Sequence, residues 1–160
     1  MYPTEVVIDL EALRSNFRAL QKQAGTCELV PVIKSDAYGH GLAPAAMALL
    51  SSGARRLAVF RLEEALALRQ AGVTAALWVL LGPLPSEAEQ VLSLRHDFRL
   101  ACPHLEAARA LAEVARRYRT TLPIHLKVDT GMGRLGFLPR EVPAALAEIA
   151  SLPGLRLCGA

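Results

Sequence analysis

The sequence predicts an α/β protein built on a parallel sheet. Short apolar segments rich in strand-forming residues alternate with longer Ala- and Leu-rich segments whose apolar residues recur at helical spacing. This alternation is typical of repeated βαβ units. Residues 76–81 (ALWVLL) are apolar at every position, as expected for a strand that is covered on both faces. A (β/α)8 barrel and an open doubly wound sheet both fit these observations.

The elements follow one another regularly along the chain. Residues 4–8 are predicted to be extended, and Asp9 is a suitable N-cap for a helix over residues 10–24. Six further strands are predicted at residues 29–34, 57–60, 76–81, 98–102, 123–128 and 155–160. The helices between them are predicted at residues 42–51, 61–71, 86–94, 104–119 and 140–151. Because a barrel of this kind needs about eight strands, we expect residues 1–160 to form one unit that is truncated after about six barrel strands.

Composition excludes several classes of function. A chain of 160 residues with 52% hydrophobic and 21% charged residues is expected to fold around a core. The net charge of +3 comes without a Lys/Arg-rich block, so we expect no nucleic-acid partner. We also expect no membrane association, because neither a signal-like N-terminus nor an apolar run of spanning length is present. Three widely spaced cysteines indicate neither a disulfide framework nor a metal site, and favour a reducing cytoplasm.

Lysine is scarce in this chain. Fifteen arginines accompany only three lysines, Lys22, Lys34 and Lys127. Arginine satisfies any need for positive charge alone, whereas lysine can lose its proton and attack a carbonyl. The three lysines are therefore candidates for amine chemistry.

Lys34 lies in the first of two distinctive motifs, residues 32–41 (VIKSDAYGHG). The motif ends a predicted strand and enters a loop, which is where parallel α/β proteins place their active sites. Tyr38 follows four residues later and is close enough to share that site. By position alone, a lysine at a strand end is more often simply solvated.

The second motif, residues 125–137 (HLKVDTGMGRLGF), also ends a strand and enters a glycine-rich loop. Counted from the strand of Lys34, this strand is the fifth, and strands one and five lie opposite each other in a barrel. Their loops can therefore face one ligand. The alternative is a structural loop in which Asp129 and Thr130 cap the backbone and Arg134 is solvated.

Both strings resemble the signature motifs of alanine racemases, which are pyridoxal 5'-phosphate-dependent (β/α)8-barrel enzymes. The resemblance implies that Lys34 forms an aldimine with the cofactor and that Tyr38 donates to the cofactor phosphate. It places Arg134 on the arginine that contacts the cofactor's phenolic oxygen and the substrate carboxylate. Lys127 matches a lysine that is carbamylated in many members and then orients this arginine, and Leu81 matches a leucine that packs near the cofactor.

The resemblance also implies the reaction, the interconversion of L-alanine and D-alanine in the cytoplasm, which supplies D-alanine for peptidoglycan precursors. The catalytic residues implied in this chain are Lys34, which serves the D-enantiomer as a base, and Arg134. In the family, a tyrosine on a C-terminal β domain of the partner subunit in a homodimer serves the L-enantiomer. We expect that domain to be absent from residues 1–160, and full two-base racemisation is not expected of them alone.

Other functions remain open at this point. A broad-specificity racemase or an amino-acid decarboxylase on the same barrel also anchors the cofactor on a first-strand lysine, although the Asp-Thr-Gly-Met-Gly-Arg loop favours an alanine racemase. A small non-catalytic pyridoxal-phosphate-binding barrel is a second possibility. The third is an inert fragment, since an unclosed barrel exposes its sheet edges.

Overall fold

The computed structural model describes residues 4–160 and confirms the α/β class. Its single five-stranded sheet has the order β1-β2-β3-β4-β5, and every neighbouring pair is parallel. The strands are β1 (Arg56–Val59), β2 (Ala76–Val79), β3 (Phe98–Cys102), β4 (Leu122–Leu126) and β5 (Leu155–Gly159). A doubly wound sheet reverses its strand order at a switch point. This uninterrupted order has no reversal, so it is that of a barrel segment.

Three helices precede β1 and three connect successive strands, and apart from the short element at Lys34–Gly39, which was not predicted, they agree closely with the prediction. They are α1 (Leu10–Ala24), α2 (Lys34–Gly39), α3 (Leu42–Ser51), α4 (Leu62–Gln70), α5 (Leu105–Arg117) and α6 (Val142–Ser151). The predicted cap of α1 is confirmed, because Oδ1 of Asp9 accepts hydrogen bonds from the backbone N–H groups of Glu11 (2.9 Å) and Ala12 (3.0 Å). The predicted helix over residues 86–94 is instead a 3-10 helix, Pro85–Leu94, and a second short one covers Pro139–Glu141. Both begin with a proline, which has no N–H to donate to a helical ladder.

The predicted strand over residues 29–34 is largely wrong. It is reduced to one parallel bridge between Val32 and Ala58, with hydrogen bonds from Ile33 N to Ala58 O and from Ala58 N to Pro31 O, both 2.8 Å. Pro31 cannot donate to a sheet ladder, and the chain turns away at Lys34, so pairing cannot extend in either direction. Residues 4–9 likewise form no strand.

The sheet buries one face under the helices. Leu57, Val59, Leu77, Val79 and Leu100 are at most 1% exposed and belong to the main hydrophobic cluster together with residues of the helices. Alternate side chains of a strand point to opposite faces, and the second face is only partly covered, since Ala58 is buried there whereas Trp78 and His125 are half-buried. The expectation that the strands are covered on both faces is therefore met only in part.

The opposite face carries large polar and aromatic groups, because it corresponds to a barrel interior that residues 4–160 leave open. The rings of Trp78 and His125 lie 5.2 Å apart there, and the Arg56 guanidinium lies 5.9 Å from the Trp78 ring centroid. In residues 4–160, no helix is long and apolar enough to cross a membrane.

Candidate active site

Lys34 lies at the carboxyl end of the sheet, although it begins a turn and does not end a strand as predicted. Its side chain is half-buried, and Nζ lies 5.1 Å from the ring centroid of Phe60, the residue that follows β1. Within the part of the chain that the structure describes, no carboxylate approaches this amine within ion-pair distance. The amine is therefore available to a ligand that arrives at this edge.

The turn that follows Lys34 has an uncommon backbone. Four consecutive residues from Ser35 to Tyr38 have φ between 53° and 57° and ψ between 36° and 54°, the left-handed helical conformation. None of them is glycine, and each such residue costs roughly 1–2 kcal/mol. Conformations of this kind persist only where surrounding contacts enforce them, and they cluster at functional sites.

Local hydrogen bonds hold the ends of α2. Ala37 is buried, and its N–H donates to the Ile33 carbonyl at 2.9 Å. The Asp36 carbonyl accepts from Gly41 N at 2.9 Å, and its side-chain Oδ1 accepts from Leu42 N at 2.6 Å. These bonds tie the left-handed turn to the start of α3.

A bond from a distant part of the chain also holds the turn. Oε1 of Glu64 accepts a hydrogen bond from Ser35 N at 2.6 Å, while its Oε2 accepts from Phe60 N at 2.8 Å and from Arg61 N at 3.0 Å. The sequence analysis missed Glu64. Its place as the third residue of α4 indicates only a helix-capping role, and nothing in the sequence points to a partner 29 residues earlier.

A second carboxylate organises the loop that carries Arg134. Oδ1 of Asp129 accepts from Gly131 N and Gly133 N, and Oδ2 accepts from Arg134 N, all at 3.0 Å. These backbone bonds, the one from Gly131 foremost, lower the pKa of Asp129. Asp129 thus caps the loop backbone, as the alternative interpretation of this motif proposed.

The same loop closes on itself through a short parallel bridge between Val128 and Phe137. Asp129 N donates to the Phe137 carbonyl at 2.9 Å, and Phe137 N donates to the Lys127 carbonyl at 2.8 Å. Gly136 makes this closure possible, because its φ is 121° and a Cβ there would lie 2.7 Å from the Lys127 carbonyl oxygen.

Lys127 stands at the base of this loop. It is half-buried, and its Nζ donates to the Leu80 carbonyl at 3.1 Å. Burial lowers the pKa of Lys127, and the positive charge of Arg134 lowers it further. The Arg134 side chain itself is exposed.

The predicted residues are joined by contacts along one edge. Lys34 lies over Phe60, whose carbonyl accepts from Leu81 N at 2.8 Å. Leu80, the neighbour of Leu81, accepts from Lys127, which is close enough to Arg134 to respond to its charge. Four of the five predicted site residues therefore follow one another along the carboxyl ends of the strands.

Tyr38 is placed differently. It is 61% exposed, and its hydroxyl forms no hydrogen bond with any residue between 4 and 160. It borders an apolar cavity of about 340 Å³, whose wall is formed by residues of α1, α3 and the segment 29–33. Its predicted contact with a cofactor phosphate stays a prediction.

The residues at this edge suit an anionic ligand that carries a carbonyl group. Lys34 offers a primary amine that has no carboxylate partner among residues 4–160, and Lys127 and Arg134 add positive charge. The nearby carboxylates of Glu64 and Asp129 are already engaged by backbone N–H groups. Such a set fits pyridoxal phosphate, because an amine condenses with its aldehyde and cations neutralise its phosphate and phenolate oxygens.

Comparisons with known proteins agree with the motifs. A family model described as "Alanine racemase, N-terminal domain" matches residues 8–160. An alanine racemase of Syntrophobacter fumaroxidans is 43% identical over 155 residues, which are 96% of this chain and 41% of that protein.

Solved structures show the same likeness. The alanine racemase of Clostridium difficile 630 superposes with a TM-score of 0.87 at 30% identity, over 95% of this chain and 40% of its own. A histidine racemase of Leuconostoc mesenteroides superposes with a TM-score of 0.83 at 31% identity, over 91% of this chain and 39% of its own. The chain thus spans about two-fifths of the length of these relatives.

Proposed function

Because this chain belongs to the alanine racemase family, through the N-terminal domain of that family, we propose that it is the cofactor-binding part of an alanine racemase. The proposed reaction interconverts L- and D-alanine with pyridoxal phosphate as cofactor. The observation that carries the proposal is the half-buried amine of Lys34, which forms no ion pair within the described part of the chain and lies on the same sheet edge as Lys127 and Arg134.

In this proposal the residues of the sheet edge hold and orient the cofactor. Lys34 binds it covalently, and Tyr38 donates to its phosphate. Arg134 binds its phenolic oxygen and the substrate carboxylate, for which a planar and permanently charged guanidinium is suited. Leu81 packs near the cofactor. When bound, pyridoxal phosphate supplies the electron sink that makes the Cα proton of the amino acid removable.

We propose that Lys127 holds Arg134 in place. Its lowered pKa raises the neutral fraction of its amine, and only a neutral amine reacts with carbon dioxide. The resulting carbamate is an anion, which would replace the repulsion between two cations by attraction and hold the guanidinium in place.

Lys34 is also the proposed base on one face of the substrate, where its Nζ takes or returns the Cα proton. In the proposal, residues 1–160 are the N-terminal part of the barrel. The second base belongs to another domain, contributed by the partner subunit of a homodimer. Action in the cytoplasm and supply of D-alanine for peptidoglycan belong to the same proposal.

A racemase of another amino acid is the second candidate, and the structural likeness to a histidine racemase favours it. Turnover of alanine, serine, lysine and histidine by the complete protein distinguishes the two. A strong preference for alanine supports the first assignment, and a preference for a larger amino acid overturns it.

The cofactor claim is tested on the chain itself. We expect incubation with pyridoxal phosphate, reduction with borohydride and peptide mass mapping to place the cofactor mainly on Lys34. Lys34→Ala should abolish this label, whereas Lys22→Ala, a matched change on an exposed face of α1, should leave it intact. A label spread equally over Lys22, Lys34 and Lys127 contradicts the proposal.

A further inference from the structure

We infer that Glu64 is the positioning residue of Lys34, holding the lysine turn in the orientation that presents the amine to the cofactor. The inference rests on the proposed function, since it concerns the geometry of the same amine. Glu64 itself lies on α4, forms no ion pair with Lys34 in residues 4–160, and in the proposal does not contact the cofactor.

The first argument is that the two carboxylate oxygens of Glu64 bind two different segments of the chain. Oε1 holds the backbone of Ser35, the residue after Lys34, and Oε2 holds the backbone of Phe60 and Arg61 at the end of β1. One side chain thus links the lysine turn to the end of β1.

The second argument is what lies at the end of each bond. Ser35 begins the left-handed segment, which needs outside support because its φ of 53° is unfavourable for a residue with a Cβ. Phe60 carries the ring against which the Lys34 amine rests. Glu64 therefore sets both the backbone from which the amine extends and the surface on which it lies.

The third argument is the chemistry of the acceptor. Three N–H groups converge on the two oxygens of this side chain, and only an ionised carboxylate offers two acceptor oxygens without a donor. Glutamine has one oxygen and one NH2 group. Glu64→Gln must therefore turn an N–H donor either toward Ser35 or toward Phe60 and Arg61, breaking the link on one side while preserving side-chain length.

The experiment compares Glu64→Gln with Glu63→Gln, which makes the same charge change on an exposed side chain that forms no hydrogen bond with any described residue. Two quantities are measured after incubation with pyridoxal phosphate. The first is the rate at which borohydride-reducible label appears on Lys34. The second is the circular dichroism of the bound cofactor in the visible range, per mole of Lys34 label, which reports how rigidly the cofactor is oriented.

Glu64→Gln should slow labelling of Lys34 roughly tenfold or more, corresponding to one lost charge-assisted hydrogen bond. It should also lower the dichroism per labelled lysine, while Glu63→Gln changes neither quantity. A merely structural role would reduce the amount of folded protein and of label, and would leave the dichroism per label unchanged. An unchanged dichroism in Glu64→Gln therefore overturns the inference.

A second variant addresses failure of Glu64→Gln to fold. Replacing Ser35 by its α-hydroxy acid analogue substitutes an ester oxygen for the N–H, which deletes the bond to Oε1 and weakens the Lys34 carbonyl as an acceptor, while the bonds from Phe60 and Arg61 to Glu64 stay in place. The same loss of dichroism is expected, and its absence refutes the inference. If the unaltered chain does not label Lys34 at all, the proposed function fails, which is a separate outcome.

Discussion

Replacing Gly136 by alanine tests how the Arg134 loop is closed. The added Cβ would lie 2.7 Å from the Lys127 carbonyl oxygen and 3.0 Å from the Asp129 nitrogen. Contacts this short with rigid backbone require the two strands of the loop to separate by several tenths of an ångström. That separation stretches the flanking hydrogen bonds of 2.8 and 2.9 Å that join Phe137 to Lys127 and Asp129.

The matched control is Gly131→Ala in the same loop. Gly131 has a similar φ, 132° against 121°, but a Cβ there meets nothing within 4 Å. Both variants carry the cost of a side chain at positive φ, so the difference between them isolates the clash. Two weakened backbone bonds at about 0.5–1.5 kcal/mol each give an expected difference of about 1–3 kcal/mol in the free energy of unfolding.

Urea unfolding of both variants followed by far-ultraviolet circular dichroism measures this difference. Gly136→Ala should also raise the pKa of Lys127, since opening the loop exposes its amine and moves Arg134 away. Equal unfolding free energies for the two alanine variants would show that the loop closes without the close approach at Gly136, and the reasoning would be wrong.

Three further outcomes are expected. Arg69→Met should lower the free energy of unfolding by about 2–4 kcal/mol in urea titration, because its guanidinium donates four hydrogen bonds of 2.8–3.0 Å to backbone carbonyls; a loss below about 0.5 kcal/mol contradicts this. Arg134→Gln should move the pH midpoint for acetylation of Lys127 upward, since one cause of its lowered pKa is removed, and an unmoved midpoint would place Arg134 too far away to act. Burial, with Arg99 and Arg56 nearby, lowers the pKa of His125 below 6.5, so the unfolded chain binds this proton first as pH falls. Stability should therefore decline below about pH 6.5, and His125→Gln should remove part of that decline. Coinciding pH profiles of the two proteins would contradict this expectation.

The sheet and most helices could be predicted because their signals are local. Apolar spacing located β1 to β5 within about two residues, and Asp9 located the start of α1. The bridge at Val32 could not be predicted in the same way, because residues 29–34 have the apolar pattern of a strand. Whether Pro31 interrupts pairing depends on which side of it the neighbouring strand lies.

The candidate site, too, could be predicted only where its signals are local in the sequence. Motif strings pointed to Lys34 and Arg134, and the structure places both on one side of the sheet. The left-handed backbone after Lys34 gave no signal, since none of the four residues involved is glycine. One of the bonds that hold this backbone joins Ser35 to Glu64, a contact that the fold creates and that neither segment encodes alone.

That long-range bond has a consequence for biosynthesis. Glu64 is translated 29 residues after Ser35, so at roughly 5–20 residues per second the nascent polypeptide carries Lys34 for a second or longer before its anchor exists. During that interval the turn after Lys34 lacks one of the bonds that hold it in the folded structure. Under the proposed function, loading of the cofactor would therefore be a late step in maturation, after Glu64 has been synthesised.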